Sequence, residues 1–418
     1  MEGAVSSLQP NGGKVRALGG SGENGRNCFL LETPAGNLLM DCGVKREITE
    51  DWRDAYPALT ADIAKSLSAV FLSHSHEDHC AALPYLHALG YRGAIYASPE
   101  TIEATPRMIH KWMAYAQSQG CSLPYGEADV AGLHFCPLQT GEGKMGPFSV
   151  LTGRSGHTVG SLWAALKWRA EGDPLFYSGD LCLCSHTLAT DQPPRCGAAV
   201  LDAAYAGQAL DQAGQYAALE AFVARAAARG GRVLLPVPSQ GRGCDMLLYL
   251  SKRFPHLPIW AEDVLVRSCE ALLRQSTWIR GDLEGRSALA QVKRVCTPAD
   301  RAQACACAPC LCFTTDGMLT TAESRFYLEA FGSDPASCAV ITGHAAQGTP
   351  AANLLTPGWR VENSIAMQTE KITIKVHADD EDVLSVCRRL GTRQVLLFHA
   401  PAACCAGLYE AIAHLGDS

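Results

Sequence analysis

The segment LSHSHEDHC, Leu72 to Cys80, constrains this chain more than any other stretch. His74, His76, Asp78 and His79 follow directly on the apolar run SAVFLS (Ser68 to Ser73). At a strand end residues i and i+2 point the same way, and the chain then turns into a loop. The four side chains can therefore converge on two adjacent points. Imidazole and carboxylate together suit Zn²⁺, and a pair of ions needs more ligands than one segment supplies. Other strand ends offer them. SGHTVGS carries His157 in a Gly-flanked loop, and FYSGD carries Asp180, a carboxylate able to bridge two ions. LLFHA carries His399 after an apolar run, and KVHADD carries His377. A lone histidine of this kind is ordinarily a satisfied structural residue; beside an HxHxDH segment, histidines recurring at strand ends point to metal.

The surrounding pattern predicts an α/β chain. Short apolar strands separated by Gly-rich turns and helices fill the first 200 residues, and after Tyr205 a βαβα rhythm suggests a second unit with a parallel sheet. The length of 418 residues fits two or three domains, and 47% hydrophobic residues provide for a sizeable core. The net charge of −7 excludes a strongly basic nucleic-acid coat. It leaves a nuclease open, because bound metal contributes positive charge where a phosphate needs it. The start of the chain has no apolar run fit for a signal peptide, and no stretch reaches the roughly 18 apolar residues of a membrane span. A reduced, soluble, cytoplasmic protein without membrane contact is expected, its 19 cysteines mostly small buried hydrophobes.

In kind and order these motifs resemble those of the metallo-β-lactamase superfamily, and of its nucleic-acid-processing β-CASP branch. That branch includes ribonuclease J and the endonuclease subunit of the cleavage and polyadenylation specificity factor. Asp41 in LLMDCG matches the first motif, His74 to His79 the second, His157 the third and Asp180 the fourth. Asp202 in VLDAAYAG, His377 and His399 match the residues that the branch adds. Arg242 in PVPSQGRGCDM matches the arginine of an inserted cassette, and FTTDGMLT and ITGHAAQGTPA resemble two of its loops. The resemblance implies an αββα metallo-β-lactamase sandwich with an inserted β-CASP α/β domain. Its parts would be residues 1–206, the insertion 207–368 and a return segment 369–418. The family often has Gly-Glu after its last histidine; here Ala400 and Pro401 follow. About twenty residues then remain, so the C-terminal assembly domain of ribonuclease J is not expected. The oligomeric state is left open.

The resemblance further implies that His74, His76 and His157 hold one Zn²⁺, that Asp78, His79 and His399 hold the other, and that Asp180 bridges them. Mn²⁺ is the alternative metal. His377 is the expected general acid, Asp202 is expected to orient a ligating imidazole, chiefly His399, and Asp41 to brace the HxHxDH loop. Plainer readings stand beside these: a turn cap for Asp41, a solvated strand-end acid for Asp202, a buried structural histidine for His377. Arg242 is expected to meet a substrate phosphate at a helix start, with a salt bridge as the alternative. His344 reads as a loop residue.

The expected activity is hydrolysis of RNA, preferably single-stranded, as an endonuclease, with a further 5′-exonuclease activity left open. The rival is a small-substrate hydrolase of the same superfamily. Cys305, Cys307, Cys310 and Cys312 have spacings that thiolate zinc sites use, but alternation within one strand explains Cys310 and Cys312 as packing.

Overall fold

The computed structural model describes residues 7–47, 51–280 and 284–416. By its internal contacts the chain forms two compact units, residues 1–183, 189–209 and 377–418 in one, and 184–188 and 210–376 in the other.

The first unit is a sandwich of two sheets. One runs in the order Ser7–Leu8, Lys14–Gly19, Cys28–Thr33, Gly36–Met40, Leu67–Phe71, Ala94–Ala97, His134–Pro137. The other runs Val395–Phe398, Ala198–Asp202, Leu175–Tyr177, Leu162–Lys167, Phe148–Arg154, Gly141–Met145. Strand alternation sorts the side chains. Phe29 and Phe71 of the first sheet meet Tyr177 and Phe398 of the second, with ring centroids 5.1–6.2 Å apart. Their neighbours Leu30, Leu39 and Val70 point the other way, into a cluster with Ile109, Trp112 and Met113 of the helix Pro99–Ser118. On the outer face of the second sheet, Ala199, Leu201 and Leu397 pack with Val383, Val386 and Leu390 of the helix Asp380–Leu390 and with Leu408 and Ile412 of the helix Ala402–Ala413. Helix, sheet, sheet, helix is the expected αββα order. With both faces covered, the central strands are continuously apolar.

The second unit carries a six-stranded sheet, every pairing parallel, in the order Lys293–Val295, Ile259–Glu262, Cys310–Thr315, Arg232–Val237, Cys338–Ile341, Gln368–Lys371. The return to the first unit falls at 377 rather than at 369, because Gln368–Lys371 is the edge strand of this sheet. Residues 184–188 also belong here: the Asp245 carboxylate accepts hydrogen bonds from the backbone of His186 and Thr187 and from the Ser185 hydroxyl. No described helix is long and apolar enough to cross a membrane.

Phe29 is fully buried between the two sheets. Phe29→Ala should cost about 3–5 kcal/mol, read from the shift of the urea unfolding midpoint; a loss below about 1 kcal/mol would contradict this account of the inter-sheet core.

Candidate metal centre

All seven residues expected to hold metal lie in the first unit, at or just after strand ends. Leu67–Phe71 delivers His74 and His76 through a short loop, and Asp78 and His79 sit on the helical turn Glu77–Cys80 that follows. His157 follows Phe148–Arg154, Asp180 follows Leu175–Tyr177, and His399 follows Val395–Phe398. Three groups of potential ligands result: His74, His76, His157 and Asp180; Asp78, His79 and His399; and Asp180, Asp202, His377 and His399. The two oxygens of Asp180 face different groups. Oδ2 lies 3.4 Å from His74 Nε2 and 3.3 Å from His157 Nε2. Oδ1 lies 3.0 Å from His79 Nε2 and 3.3 Å from His399 Nδ1.

These residues fit a metal pair on physical grounds. His74 Nε2, His399 Nδ1 and both oxygens of Asp180 are shut away from water, near one another, without a hydrogen bond. Buried polar atoms are nearly always paired, so orphans that converge call for a common partner.

The loop is held by Asp41, buried and left-handed at φ 57°. It accepts hydrogen bonds from the Ser73 amide at 2.7 Å, the Ser73 hydroxyl at 2.6 Å, His79 Nδ1 at 2.6 Å and the Tyr177 hydroxyl. By taking the Nδ1 proton it leaves the His79 Nε2 lone pair facing the centre. Gly43 lets the neighbouring backbone pass: a Cβ there would lie 1.7 Å from the Asp78 carbonyl oxygen. His399 is also left-handed, at φ 71°, a conformation that costs energy for a non-glycine residue and concentrates at functional sites.

Residues 21–222 match the metallo-β-lactamase superfamily. The chain is 28% identical to the transcription termination factor FttA of a Lokiarchaeum species, over 94% of its own length and 68% of that protein. It is 24% identical to Integrator complex subunit 11 of Gallus gallus over 93% of this chain and 69% of the relative. To cleavage and polyadenylation specificity factor 73 of Drosophila melanogaster it is 23% identical, over 92% and 59%. Nearly half of the chain thus carries a metallo-β-lactamase domain, and along most of its length the chain is similar to these three relatives. A solved structure of a protein of unknown function from Enterococcus faecalis V583 shares the fold, with TM-score 0.57 at 12% identity over 92% of this chain and 93% of that one.

Electrostatics prepare these candidate ligands. Burial, reinforced by the neighbouring imidazoles, lowers His74 to about 4 and His76 to about 3, so both offer neutral nitrogens near pH 7. Burial would also disfavour charge on the acids, but the facing imidazoles outweigh it and hold Asp78, Asp180 and Asp202 below the usual carboxylate range. For His79 and His399 the carboxylates outweigh burial in turn, and both titrate well above the ordinary imidazole value. An arriving cation replaces those protons.

One expected pairing is corrected. Asp202 Oδ2 lies 2.9 Å from His377 Nδ1, whereas His399 Nδ1 stands 3.6 Å from Asp202 Oδ1. The hydrogen bond therefore orients His377 rather than His399. The remaining oxygen capacity of Asp202 is taken by the amides of Leu181 and Ala204, both at 3.0 Å.

Three further expectations concern the second unit. Arg242 begins the helix Arg242–Arg253, its guanidinium lying over Gly343 and donating to the Ile374 carbonyl at 3.4 Å. His344 is exposed in the loop after Cys338–Ile341. Cys310 and Cys312 lie buried side by side in the core strand, Sγ to Sγ 3.7 Å, and Cys305 and Cys307 pack against the same cluster. Among the described residues, no group with metal-ligand spacing includes these cysteines.

Sequence reasoning missed Asn27, Ser73 and Tyr177. Asn27 stands in a Gly-bracketed turn against an apolar strand, a signal that could have drawn notice. Tyr177 looks like any core aromatic until its hydroxyl is seen on Asp41.

Asp41→Asn leaves the shape but offers His79 Nδ1 a poorer acceptor. Affinity for divalent metal should fall about 10–100-fold, measured by titration against a competing chelator. Unchanged affinity would remove Asp41 from any part in orienting His79.

Proposed function

We propose that the protein is a ribonuclease that hydrolyses internal phosphodiester bonds of RNA at a two-metal centre. The observation that carries this reading is the clustering of six histidine and aspartate side chains around a seventh candidate ligand, Asp180, in a chain similar along most of its length to a cleavage and polyadenylation factor and a transcription termination factor.

His74, His76 and His157 would hold one ion and Asp78, His79 and His399 the other, with Asp180, whose two oxygens face the two groups, available to both. The imidazole-rich donor set favours Zn²⁺, with Mn²⁺ as a harder substitute. When bound, such a pair lowers the pKa of a water molecule and neutralises charge building on a phosphate. The remaining work falls to the chain. His377 is 16% exposed at its side chain, and the Asp202 carboxylate accepts its Nδ1 proton, which leaves Nε2 as the atom that gives a proton to the leaving oxygen. Asp202 fixes the direction of that ring. Single-stranded RNA is the preferred substrate, since backbone and stacking contacts tolerate any sequence.

The test is RNA labelled at either end, with and without a 5′ monophosphate, incubated with metal-loaded protein. A ladder of internal cuts is expected; mononucleotide release would mark a 5′-exonuclease, and turnover of bis(p-nitrophenyl) phosphate with none of RNA would mark a small-substrate hydrolase. His76→Ala should lower cutting at least about 100-fold and reduce bound metal. Asp202→Asn should lower cutting about 10–100-fold while both ions stay; full activity in Asp202→Asn would remove the proton-donor role assigned to His377.

A further inference from the structure

Asn27 is fully buried, and its side chain points into the group formed by Asp78, His79 and His399. Its Nδ2 lies 2.8 Å from His79 Nε2 and donates to Asp78 Oδ2 at 3.3 Å. Its Oδ1 is buried without a hydrogen-bond partner. Both atoms that Nδ2 contacts belong to groups that would hold the second cation. An amide cannot keep its NH₂ aimed at atoms that a cation claims: the hydrogen bonds are lost, and the positive end of the amide dipole faces a positive ion. Rotation about the last side-chain bond exchanges Nδ2 for Oδ1 in nearly the same place and turns the carbonyl oxygen, a good ligand for hard divalent ions, inward.

The backbone already fixes that position. The Asn27 amide donates to the Asp78 carbonyl at 2.9 Å, and the Asn27 carbonyl accepts from Gly43 at 3.1 Å. These bonds belong to the main chain, so a substitution of the side chain leaves the anchor in place. Asn27 thus sits beside the metal loop on a separate segment, ahead of the strand Cys28–Thr33.

We infer that Asn27 is an additional oxygen ligand of the ion held by Asp78, His79 and His399, presenting Oδ1 once that ion binds, and that it raises the affinity of this position for harder ions such as Mn²⁺. The inference rests on the two-ion reading of the site. It does not depend on RNA being the substrate.

The experiment uses the full chain, stripped with chelator and titrated with Mn²⁺, with bound metal counted by elemental analysis and the two ions followed by electron paramagnetic resonance. Asn27→Leu keeps the volume and removes the donor; Asn27→Asp supplies a charged oxygen at the same reach. Wild-type protein should take two ions with a spin-coupled spectrum. Asn27→Leu should hold the second ion about 10–100-fold more weakly and show a single-ion spectrum at intermediate metal, while the first ion binds as in wild type. Asn27→Asp should restore tight binding. Two coupled ions at wild-type affinity in Asn27→Leu would overturn the inference, as would loss of both ions together, which would mark a structural role. A wild-type protein that binds fewer than two ions would overturn the two-ion reading itself.

Discussion

Four hydrogen bonds to one buried carboxylate hold this site together. Asp41 ends a strand of the first sheet, Tyr177 lies in the second, and Ser73 and His79 bracket the ligand loop between them. An ionised carboxylate buried without partners would cost several kcal/mol; here its donors come from every element that must stay in register. The same contacts that make burial of the charge tolerable fix the direction of His79 and the exit of the loop. The aromatic layer of Phe29, Phe71, Tyr177 and Phe398 supplies the distance between the sheets across which this carboxylate reaches.

That arrangement explains what could be read from the sequence. Each candidate ligand follows an apolar run by a few residues, and strand ends are where a buried sheet meets the surface, so the clustering of His74 to His79, His157, Asp180 and His399 was legible from composition and position. The pairing of Asp202 was not. Asp202 and His377 are 175 positions apart, and the local pattern around either does not say which of two nearby histidines the carboxylate faces. Asn27 escaped because an asparagine in a glycine-rich turn is ordinarily a turn residue. The return junction was misplaced for a related reason. The alternating apolar residues of TEKITIKV read as a strand, but alternation does not say which sheet the strand joins, and Gln368–Lys371 pairs with Cys338–Ile341.

The net charge of −7 also takes on a local meaning. Asp41, Asp78, Asp180 and Asp202 lie within one small volume among imidazoles, so the cation-binding capacity is concentrated where the chemistry is placed rather than spread as a basic surface. A metal pair bound there would put positive charge where a phosphate needs it, in place of a basic surface.

His377 and His399 come from the last part of the chain, whereas His74 to His79 come from near its start, with the second unit between them. The entropy of closing so long a loop grows only slowly with its length, and the closure is secured by strand Val395–Phe398 pairing in parallel with Ala198–Asp202. His377 is braced twice. Asp202 accepts from its ring, and two residues later Asp379 caps the helix Asp380–Leu390 by accepting from the Asp382 amide at 3.0 Å. Ligand binding to the folded state alone adds stability in proportion to the logarithm of ligand concentration over its dissociation constant. A metal pair held by residues from both segments would therefore stabilise the first unit as a whole, and loss of the return segment would remove a sheet strand, the candidate ligand His399 and the proposed proton donor His377 in a single step.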